Sequence, residues 1–359
     1  MEQLHTGLVP ETSDQPNVDP RYSRQILFAP IGAAGQAKLT KSKVAVVGMG
    51  ALGTVLANHM VRAGVGFVRI IDRDFVEVSN LQRQMLYDED DASSMMPKAI
   101  AAAKRLRSVN SLVEIDPHVT DLNALNADEL LQDVDLILDG SDNFAVRFLI
   151  NDVSSKHSIP WIYGGAVASR GVALAILPGQ SPCLRCLFAQ APKAGTADTC
   201  DTAGVIGGII HVVASFQATE AIKYLIGDLE RMNKGMQQWD LWYNQHSSIQ
   251  VANARKSNCP ACGLHQYEYL DAEQDSDVIQ SMCGRNSVQI LPVTPTALSL
   301  EQWEDRFKPL GHTERNRFLL KFQPNSEVTM VLFPDGRVLV QGTDDLTAAK
   351  SLYSRFIGM

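Results

Sequence analysis

Four of the six cysteines are arranged as two Cys-X-X-Cys pairs, the pattern in this chain that most directly predicts chemistry. Cys183 and Cys186 form the first pair, and Cys259 and Cys262 form the second. Four thiolates with this spacing are typical of a structural zinc site, in which protein ligands fill all four tetrahedral positions. A redox dithiol is the alternative for either pair alone. Zinc accounts for both pairs, so we expect a closed zinc site.

A fifth cysteine, Cys200, stands outside this pattern in the run ADTCDTAG. Its small and polar neighbours have little to bury, which favours a mobile loop of the kind that carries functional residues. A long apolar helix is predicted from about Ala203 to Leu225, so Cys200 would lie at the positive N-terminal end, which lowers the pKa of a thiol. Asp198 and Asp201 oppose that effect, and we expect a moderately activated thiolate.

A glycine-rich loop indicates a nucleotide site. Gly48, Gly50 and Gly53 form the pattern GxGxxG between a β-branched run and a helical run. Glycine permits the tight turn and lets a phosphate approach the free N–H groups at the start of the helix. Asp72 ends the next predicted strand, where it could accept a hydrogen bond from a ribose hydroxyl. This pattern alone favours NAD.

Polar residues further along change that interpretation. Asn80, Arg83 and Lys98 could bind and neutralise the phosphates of a triphosphate that is being cleaved, a need that NAD does not create. Asp142 and Asn143 follow a later strand, at the sheet edge where ligands bind in such folds, and Asp142 could hold Mg²⁺. Taken singly, Arg83 and Lys98 are explained as solvated surface charges and Asp142 as a helix N-cap. The set together favours ATP.

These residues lie along alternating strands and helices. Short runs such as KVAVVG, FVRIID and DVDLILDG alternate with helical runs such as ALGTVLANHMVRAG and NFAVRFLINDVSSKH. This alternation predicts a Rossmann-like, doubly wound and mostly parallel α/β sheet. QWDLWYN and SSIQVA are expected to be two further strands, and we interpret Trp239 and Trp242 as core residues.

The composition divides the chain into a tail and two folded parts. The polar composition of residues 1–20 predicts a disordered tail. This segment lacks the basic and apolar regions of a signal peptide. Residues 21–270 form the nucleotide-binding domain, and the acidic run DAEQDSD links it to residues 276–359. That last part predicts a small α+β module with a hairpin turning at Asp335-Gly336. Cys283, at its start, is interpreted as a buried structural cysteine.

The overall charge argues against some classes of binding partner. The net charge is −8 and no run of Lys and Arg occurs, which argues against binding to nucleic acid or to an anionic membrane. The most apolar stretch is too short to span a bilayer. We expect a cytoplasmic protein, in which paired cysteines more often bind a metal than form a disulfide.

Taken together, the motifs resemble those of the ThiF/MoeB/HesA adenylyltransferases, relatives of the ubiquitin-activating enzymes. The resemblance runs from about Arg21 to Cys262 and rests on RYSRQ, GMGALG, the Asp72-X-Asp74 pair, NLQRQ, Lys98, GSDN, TCDTAGV and both cysteine pairs. It implies adenylation by ATP, with Mg²⁺, of the C-terminal glycine of a small ubiquitin-like sulfur carrier. The pathway would be molybdenum cofactor or thiamin biosynthesis.

The resemblance also implies roles for individual residues. The ATP-contacting positions of the family match Gly50, Asp72, Asn80, Arg83, Lys98 and Asp142. The arginine that matches Arg24 reaches into the partner's site, so Arg24 is expected to act in trans in a homodimer. The cysteine that matches Cys200 can take up the activated acyl group or the sulfur linked to it.

Three alternatives stay open at this point. An NAD-dependent oxidoreductase would explain the glycine loop and Asp72 but not Arg83 or Lys98. A peptide-adenylating enzyme of natural-product biosynthesis would share the same motifs. A zinc-stapled scaffold without catalysis would bind no ATP. The C-terminal module departs from the short form of the family, which leaves the pathway open.

Overall fold

The computed structural model describes the chain in five stretches around two β-sheets. These stretches are residues 19–190, 200–272, 278–282, 286–292 and 297–358. The predicted tail lies outside them except for its last two residues, and Cys283 also lies outside. Within the described stretches, no helix combines the length and the apolar character needed to cross a membrane.

The larger sheet has eight strands. They are β1 (Lys43–Val47), β2 (Phe67–Ile71), β3 (Glu114–His118), β4 (Leu136–Asp139), β5 (Trp161–Val167), β6 (Arg170–Ile176), β7 (Gly235–Asp240) and β8 (Gln245–Gln250). Their order in space is β3-β2-β1-β4-β5-β6-β7-β8, parallel from β3 to β5 and antiparallel from β5 to β8. The prediction of a Rossmann-like, mostly parallel sheet is confirmed.

Helices cover both faces of this sheet. They are α1 (Ser23–Ile26), α2 (Gly32–Leu39), α3 (Ala51–Ala63), α4 (Glu89–Ser93), α5 (Lys98–Val109), α6 (Ala127–Leu131), α7 (Phe144–His157), α8 (Leu184–Leu187), α9 (Cys200–Ala203) and α10 (Gly207–Ile226). One core cluster contains the apolar sides of α3, α5 and α10, and a second contains those of α6 and α7. The sheet is therefore doubly wound.

Strand β1 illustrates why its sequence is continuously apolar. Val44 and Val46 belong to the core cluster on one face of the sheet, whereas Ala45 and Val47 belong to the cluster on the other. A central strand buried on both faces has no exposed side, so its residues do not alternate between apolar and polar. Strand order reverses between β1 and β4, which leaves a crevice at their carboxyl ends, the usual ligand site of such sheets.

The C-terminal module is built on a second, antiparallel sheet. Its strands are β9 (Val278–Met282), β10 (Ser287–Leu291), β11 (His312–Arg315), β12 (Leu320–Gln323), β13 (Thr329–Leu332) and β14 (Val338–Gln341). Two helices complete the module, α11 (Leu300–Phe307) and α12 (Leu346–Phe356). Phe307 and Phe322 stack in its core with ring centroids 4.1 Å apart. Gly336 has φ +88°, as the predicted hairpin turn at Asp335-Gly336 requires.

The structure differs from the sequence prediction at the β7–β8 hairpin. Strand β7 ends at Asp240, whose Oδ1 accepts hydrogen bonds from the N–H groups of Trp242 and Tyr243 in the following turn. Trp242 is consequently 71 % exposed, and the interpretation of this residue as core is wrong. Strand β6, which joins β5 to β7, was not predicted.

The start of the long helix also differs. Helix α10 begins at Gly207 rather than near Ala203, and Cys200 begins the separate short helix α9. Between the two helices, Gly204 adopts the left-handed φ of +70°, and the N–H of Ile206 donates to the carbonyl oxygen of Ala168. The chain therefore leaves helical geometry there, and Cys200 does not lie at the N-terminus of the long helix.

Candidate nucleotide site and metal-binding cysteines

A cleft of about 1020 Å³ opens at the carboxyl ends of the parallel strands. It brings together most of the residues that the sequence predicts for nucleotide binding. Those that line it are Gly48, Gly50, Asp72, Asp74, Arg83, Lys98, Asp142 and Asn143. Asn80 lies in a smaller neighbouring cavity instead, and Gly53 lies beneath the glycine loop.

The three glycines of the loop have different structural roles. Gly48 has φ +87°, and a Cβ there would lie 2.8 Å from the carbonyl oxygen of Gly140. A Cβ on Gly53 would lie 1.8 Å from the carbonyl oxygen of Gly48. Gly50, in contrast, has open space on its Cβ side. Gly48 and Gly53 thus permit close backbone packing, while Gly50 leaves room in the cleft just before α3 begins.

Asp72 holds the glycine loop to the end of β2. Its Oδ2 accepts the N–H of Met49 at 2.6 Å, and its Oδ1 accepts the N–H of Asp74 at 2.7 Å. Burial raises the pKa of the Asp72 carboxyl above its usual value, and the Lys98 ammonium opposes this shift. Each oxygen keeps a second lone pair, so this carboxylate can fix the backbone and still accept a hydroxyl.

The two basic residues of the set are held by short contacts. The Lys98 side chain is only 4 % exposed, and its Nζ lies 3.1 Å from Asp74 Oδ2. Lys98 is the first residue of α5, directly after Pro97. Arg83 donates from Nη1 to the carbonyl oxygen of Ser79 at 2.9 Å. Both cations therefore face the cleft from segments that follow β2.

A buried ion pair, which the sequence did not predict, braces the loop that carries Asp142. Asp139, with no exposed surface, accepts hydrogen bonds from Arg147 Nε at 2.9 Å and from the N–H and Oγ of Ser141 at 2.9 and 2.6 Å. Arg147 also donates to the carbonyl oxygens of Ser141 and Gly164 at 2.7 and 3.0 Å. The sequence signal that could have indicated this pair is Asp139, an acidic residue at the end of the apolar strand β4.

Asn143, not Asp142, caps the helix that follows this loop. The Asn143 side chain accepts the N–H of Ala145 at 2.8 Å, at the start of α7. The simple explanation of Asp142 as an N-cap is therefore wrong. Asp142 instead lines the cleft.

Two more residues near the cleft have roles that the sequence did not predict. Gln217 is fully buried on α10, where its Nε2 donates to the carbonyl oxygens of Asp139 and Ile162 at 2.9 and 3.0 Å. Trp239 packs against the core cluster, as predicted, and it also lines the cleft and stacks on His246 with ring centroids 5.5 Å apart. It extends the cleft well beyond the glycine loop.

Two predicted catalytic residues lie apart from this group. Arg24 is exposed on α1 and does not line the cleft of its own chain. The backbone of Cys200 begins α9, while its side chain lies outside the described part of the structure.

The four paired cysteines converge on one point. Their Sγ atoms all lie within 4.8 Å of one another, and the Cys183–Cys186, Cys183–Cys259 and Cys186–Cys262 Sγ pairs are 3.8, 3.5 and 3.5 Å apart. A tetrahedral zinc ion with Zn–S bonds of about 2.3 Å places its sulfurs about 3.8 Å apart. The geometry fits a four-thiolate metal site.

The cysteine cluster is tied to helix α7. Asn151 Oδ1 accepts the N–H of Leu184, between the first two cysteines, at 2.7 Å. The neighbouring Asp152 accepts the N–H of Tyr269 at 2.9 Å, and burial raises the pKa of Asp152 to about 6. Arg185 pairs with Glu268 at 2.9 Å. These contacts join the two cysteine-bearing segments to helix α7, which packs on one face of the larger sheet.

Comparison with known proteins supplies independent information about the family. The profile of the ThiF family matches residues 22–261. The sulfur carrier protein ThiS adenylyltransferase of Bacillus subtilis is 44 % identical over 339 residues, which cover 94 % of this chain and 99 % of that protein. The SAMP-activating enzyme E1 of Haloferax volcanii is 36 % identical over 261 residues, 73 % of this chain and 94 % of the relative.

Among solved structures, the chain is similar to Escherichia coli MccB crystallised with ATP. The TM-score is 0.58 at 22 % identity, and the match covers 68 % of this chain and 75 % of that one. At this identity the likeness supports the fold alone.

Proposed function

Because the chain belongs to the ThiF family, we propose that this adenylyltransferase activates the C-terminal glycine of a small ubiquitin-like sulfur-carrier protein with ATP. The observation that carries the proposal is the grouping of Asp72, Arg83, Lys98 and Asp142 around the glycine loop in one cleft. Hydride transfer would leave the two basic residues without a purpose. The names of the relatives also favour adenylation.

In this proposal each residue acts on a different part of ATP. The ribose hydroxyls bind Asp72, the α-phosphate lies over Gly50 at the start of α3, and Arg83 and Lys98 neutralise the β- and γ-phosphates. Asp142 holds Mg²⁺, which supplies positive charge next to the phosphates. Both charge sources stabilise the transition state more than the ground state, because charge builds up on the leaving group.

The reaction itself needs no covalent bond to the enzyme. A carboxylate oxygen of the carrier's terminal glycine attacks the α-phosphorus while the bond from that phosphorus to the bridging oxygen breaks. Pyrophosphate leaves with the electron pair, and an acyl-adenylate remains. The enzyme accelerates this step by holding the two reactants in line, which replaces a bimolecular encounter.

The size of the cleft supports a second substrate beside the nucleotide. Its volume of about 1020 Å³ lies at the upper end of the range for small-molecule pockets. The end lined by Trp239 and His246 lies on β7 and β8, beyond the glycine loop. We propose that the extended tail of the carrier enters there. A carrier of thiamin or molybdenum cofactor biosynthesis fits, and a ThiS-like carrier is the first to test.

The metal and assembly complete the proposal. We propose that the cysteine cluster binds a structural Zn²⁺ with no open coordination position, because four thiolates fill the tetrahedron.

We further propose a cytoplasmic homodimer in which Arg24 completes the partner's site. Mixing Arg24→Ala subunits with Asp142→Ala subunits tests this, since one site of each mixed dimer keeps both residues. No recovery of activity in demonstrated heterodimers would refute the trans role.

The deciding experiment is carrier-dependent ATP–pyrophosphate exchange with purified carriers. Asp142→Ala and Arg83→Ala should abolish exchange, whereas Asp90→Ala and Arg62→Ala, at exposed positions on α4 and α3, should keep it. Wild-type exchange in the folded Asp142→Ala protein would remove the proposed role of Asp142. Tight NADH binding without exchange would instead support an oxidoreductase.

Cys200 is proposed to act after adenylation. Cys200→Ala should retain pyrophosphate exchange and lose any thiol-reducible covalent adduct with the carrier. Loss of exchange in a variant that folds and binds zinc would place Cys200 at the adenylation step itself.

A further inference from the structure

The C-terminal module packs directly on the segment that carries the two aspartates after β2. Helices α11 and α12 cover one face of the second sheet, and the other face meets Phe75. Phe75 is buried there against Leu319, Val331 and Phe333. This apolar contact joins the module to the nucleotide-binding part immediately after Asp74.

Polar contacts fix the orientation of the module. Arg337, only 2 % exposed, donates from Nη1 to the carbonyl oxygen of Arg73 at 2.8 Å. Asn316 Nδ2 donates to the carbonyl oxygens of Ser94 and Met95 at 3.0 and 3.1 Å. These side-chain-to-backbone hydrogen bonds, together with the apolar contact at Phe75, hold the module against the Asp72–Phe75 segment and the end of α4.

A second cavity of about 210 Å³ lies between the module and the nucleotide site. Three of its lining residues, Asp74, Arg83 and Lys98, also line the large cleft. The module contributes the opposite wall through Ser287, Leu339 and Gln341. The cavity therefore adjoins the cleft at the two cations to which we assign the β- and γ-phosphates.

The chemistry of the cavity fits a small polyatomic ion with a cation. Its volume is below the roughly 300 Å³ at which pockets begin to take larger organic ligands, so it excludes a nucleoside. Its lining carries both signs of charge: Lys98 and Asp74 pair with each other at 3.1 Å, and Arg83 and Glu77 add one cation and one carboxylate. A bare anion would be repelled by the carboxylates, whereas a diphosphate complexed with a divalent cation complements both signs.

We infer that this cavity accepts the magnesium complex of the leaving pyrophosphate, and that the C-terminal module forms its wall with Gln341 as a contact residue. The inference rests on the proposed adenylation. Gln341 pairs with Ser287 across the β10–β14 ladder and lies on the sheet face that meets the nucleotide-binding part. The module would thereby act in pyrophosphate release and in the reverse reaction.

The test measures binding of magnesium pyrophosphate and of AMP to the full-length protein by calorimetry. Gln341→Glu adds a negative charge without changing side-chain size, so pyrophosphate should bind about tenfold more weakly while AMP binding is unchanged. Gln323→Glu is the matched control, because Gln323 is exposed on β12 of the same sheet and lines neither cavity. It should alter neither affinity.

Unchanged pyrophosphate affinity in Gln341→Glu would overturn the inference, as would an equal loss of AMP affinity. Should Gln341→Glu unfold at a lower temperature than wild type, Gln341→Met provides the same comparison without a charge, with an expected loss of about threefold. Neither measurement needs a carrier protein. A wild-type chain that adenylates a carrier but shows no Gln341 effect refutes the inference alone, and a chain that adenylates none refutes the proposed function.

Discussion

Breaking the buried pair of Asp139 and Arg147 should destabilise the whole fold and the nucleotide loop together. Both side chains are nearly inaccessible to solvent, and Asp139 receives four hydrogen bonds, one from Arg147, two from Ser141 and a longer one from the N–H of Gly164. Arg147→Met removes the cation and leaves a buried carboxylate with only the neutral donors of Ser141 and Gly164. Removing one partner of a buried pair costs about 3–5 kcal/mol of unfolding free energy.

Combining Asp139→Asn with Arg147→Met separates the cost of leaving one buried charge unpaired from the cost of losing hydrogen bonds. Asp139→Asn alone leaves the Arg147 cation buried with two carbonyl acceptors, so its cost should lie near the lower end, about 3 kcal/mol. Asp139→Asn/Arg147→Met carries no buried charge. It loses chiefly the two hydrogen bonds to the carbonyl oxygens of Ser141 and Gly164, about 1 kcal/mol each. We therefore expect a total cost of about 2–3 kcal/mol, well below the sum of the single variants.

The assay is urea unfolding of the zinc-loaded chain, followed by circular dichroism and by tryptophan fluorescence. Coincident transitions are needed before the free energies are compared. Arg62→Met, at an exposed position on α3, is the control. Additive costs in the double variant, or single costs below about 1 kcal/mol, would refute the claim that this pair is a coupled buried unit.

Three further predictions concern pH, metal and the glycine loop. The raised pKa of Asp152, about 6 against an ordinary 3.8, means that the folded state binds this proton more tightly. The stability that this protonated carboxyl contributes is complete below pH 3.8 and is lost as the pH rises through 6. Asp152→Asn should therefore flatten this decline and raise the free energy of unfolding at pH 8 by up to about 3 kcal/mol. Unfolding measured across this pH range checks the prediction. Cys262→Ser should lower the zinc content measured by metal analysis and the melting temperature together. Gly53→Ala, with its Cβ 1.8 Å from the Gly48 carbonyl oxygen, should abolish ATP binding in calorimetry.

Much of the fold could be predicted because its signals are local. The run from Lys43 to Val47 is apolar on both faces and ends at the glycine loop, so strand, turn and helix follow from adjacent residues. Strand β6 was missed because only Ala168 and Ser169 separate it from β5. Ala168 takes the left-handed φ of +52°, a turn for which an alanine gives no warning in the sequence.

The sequence indicated most of the polar residues that line the cleft but not the residues that support them. Motif spacing indicated Asp72, Lys98 and Asp142, because each follows a strand or begins a helix. Arg147 and Gln217 hold the same region through contacts that join distant parts of the chain, as in the bond from Gln217 to the Asp139 carbonyl oxygen. No local sequence pattern indicates that Arg147 or Gln217 makes such a contact. Tertiary contacts therefore decide which polar residues of an apolar helix are structural.

The two aspartates that end β2 and β4 explain how the site is organised. Asp72 uses one oxygen to accept the N–H of Asp74, and Asp139 accepts the N–H of Ser141, so each carboxylate fixes the residues just after it. The next acidic residues, Asp74 and Asp142, then line the cleft. A carboxylate that fixes backbone cannot move freely to follow a metal or a phosphate. At β4 a second carboxylate three residues later separates shaping the loop from lining the cleft, because Asp139 is fully buried and Asp142 is not, so substitution at Asp139 should reduce stability and substitution at Asp142 should reduce exchange alone.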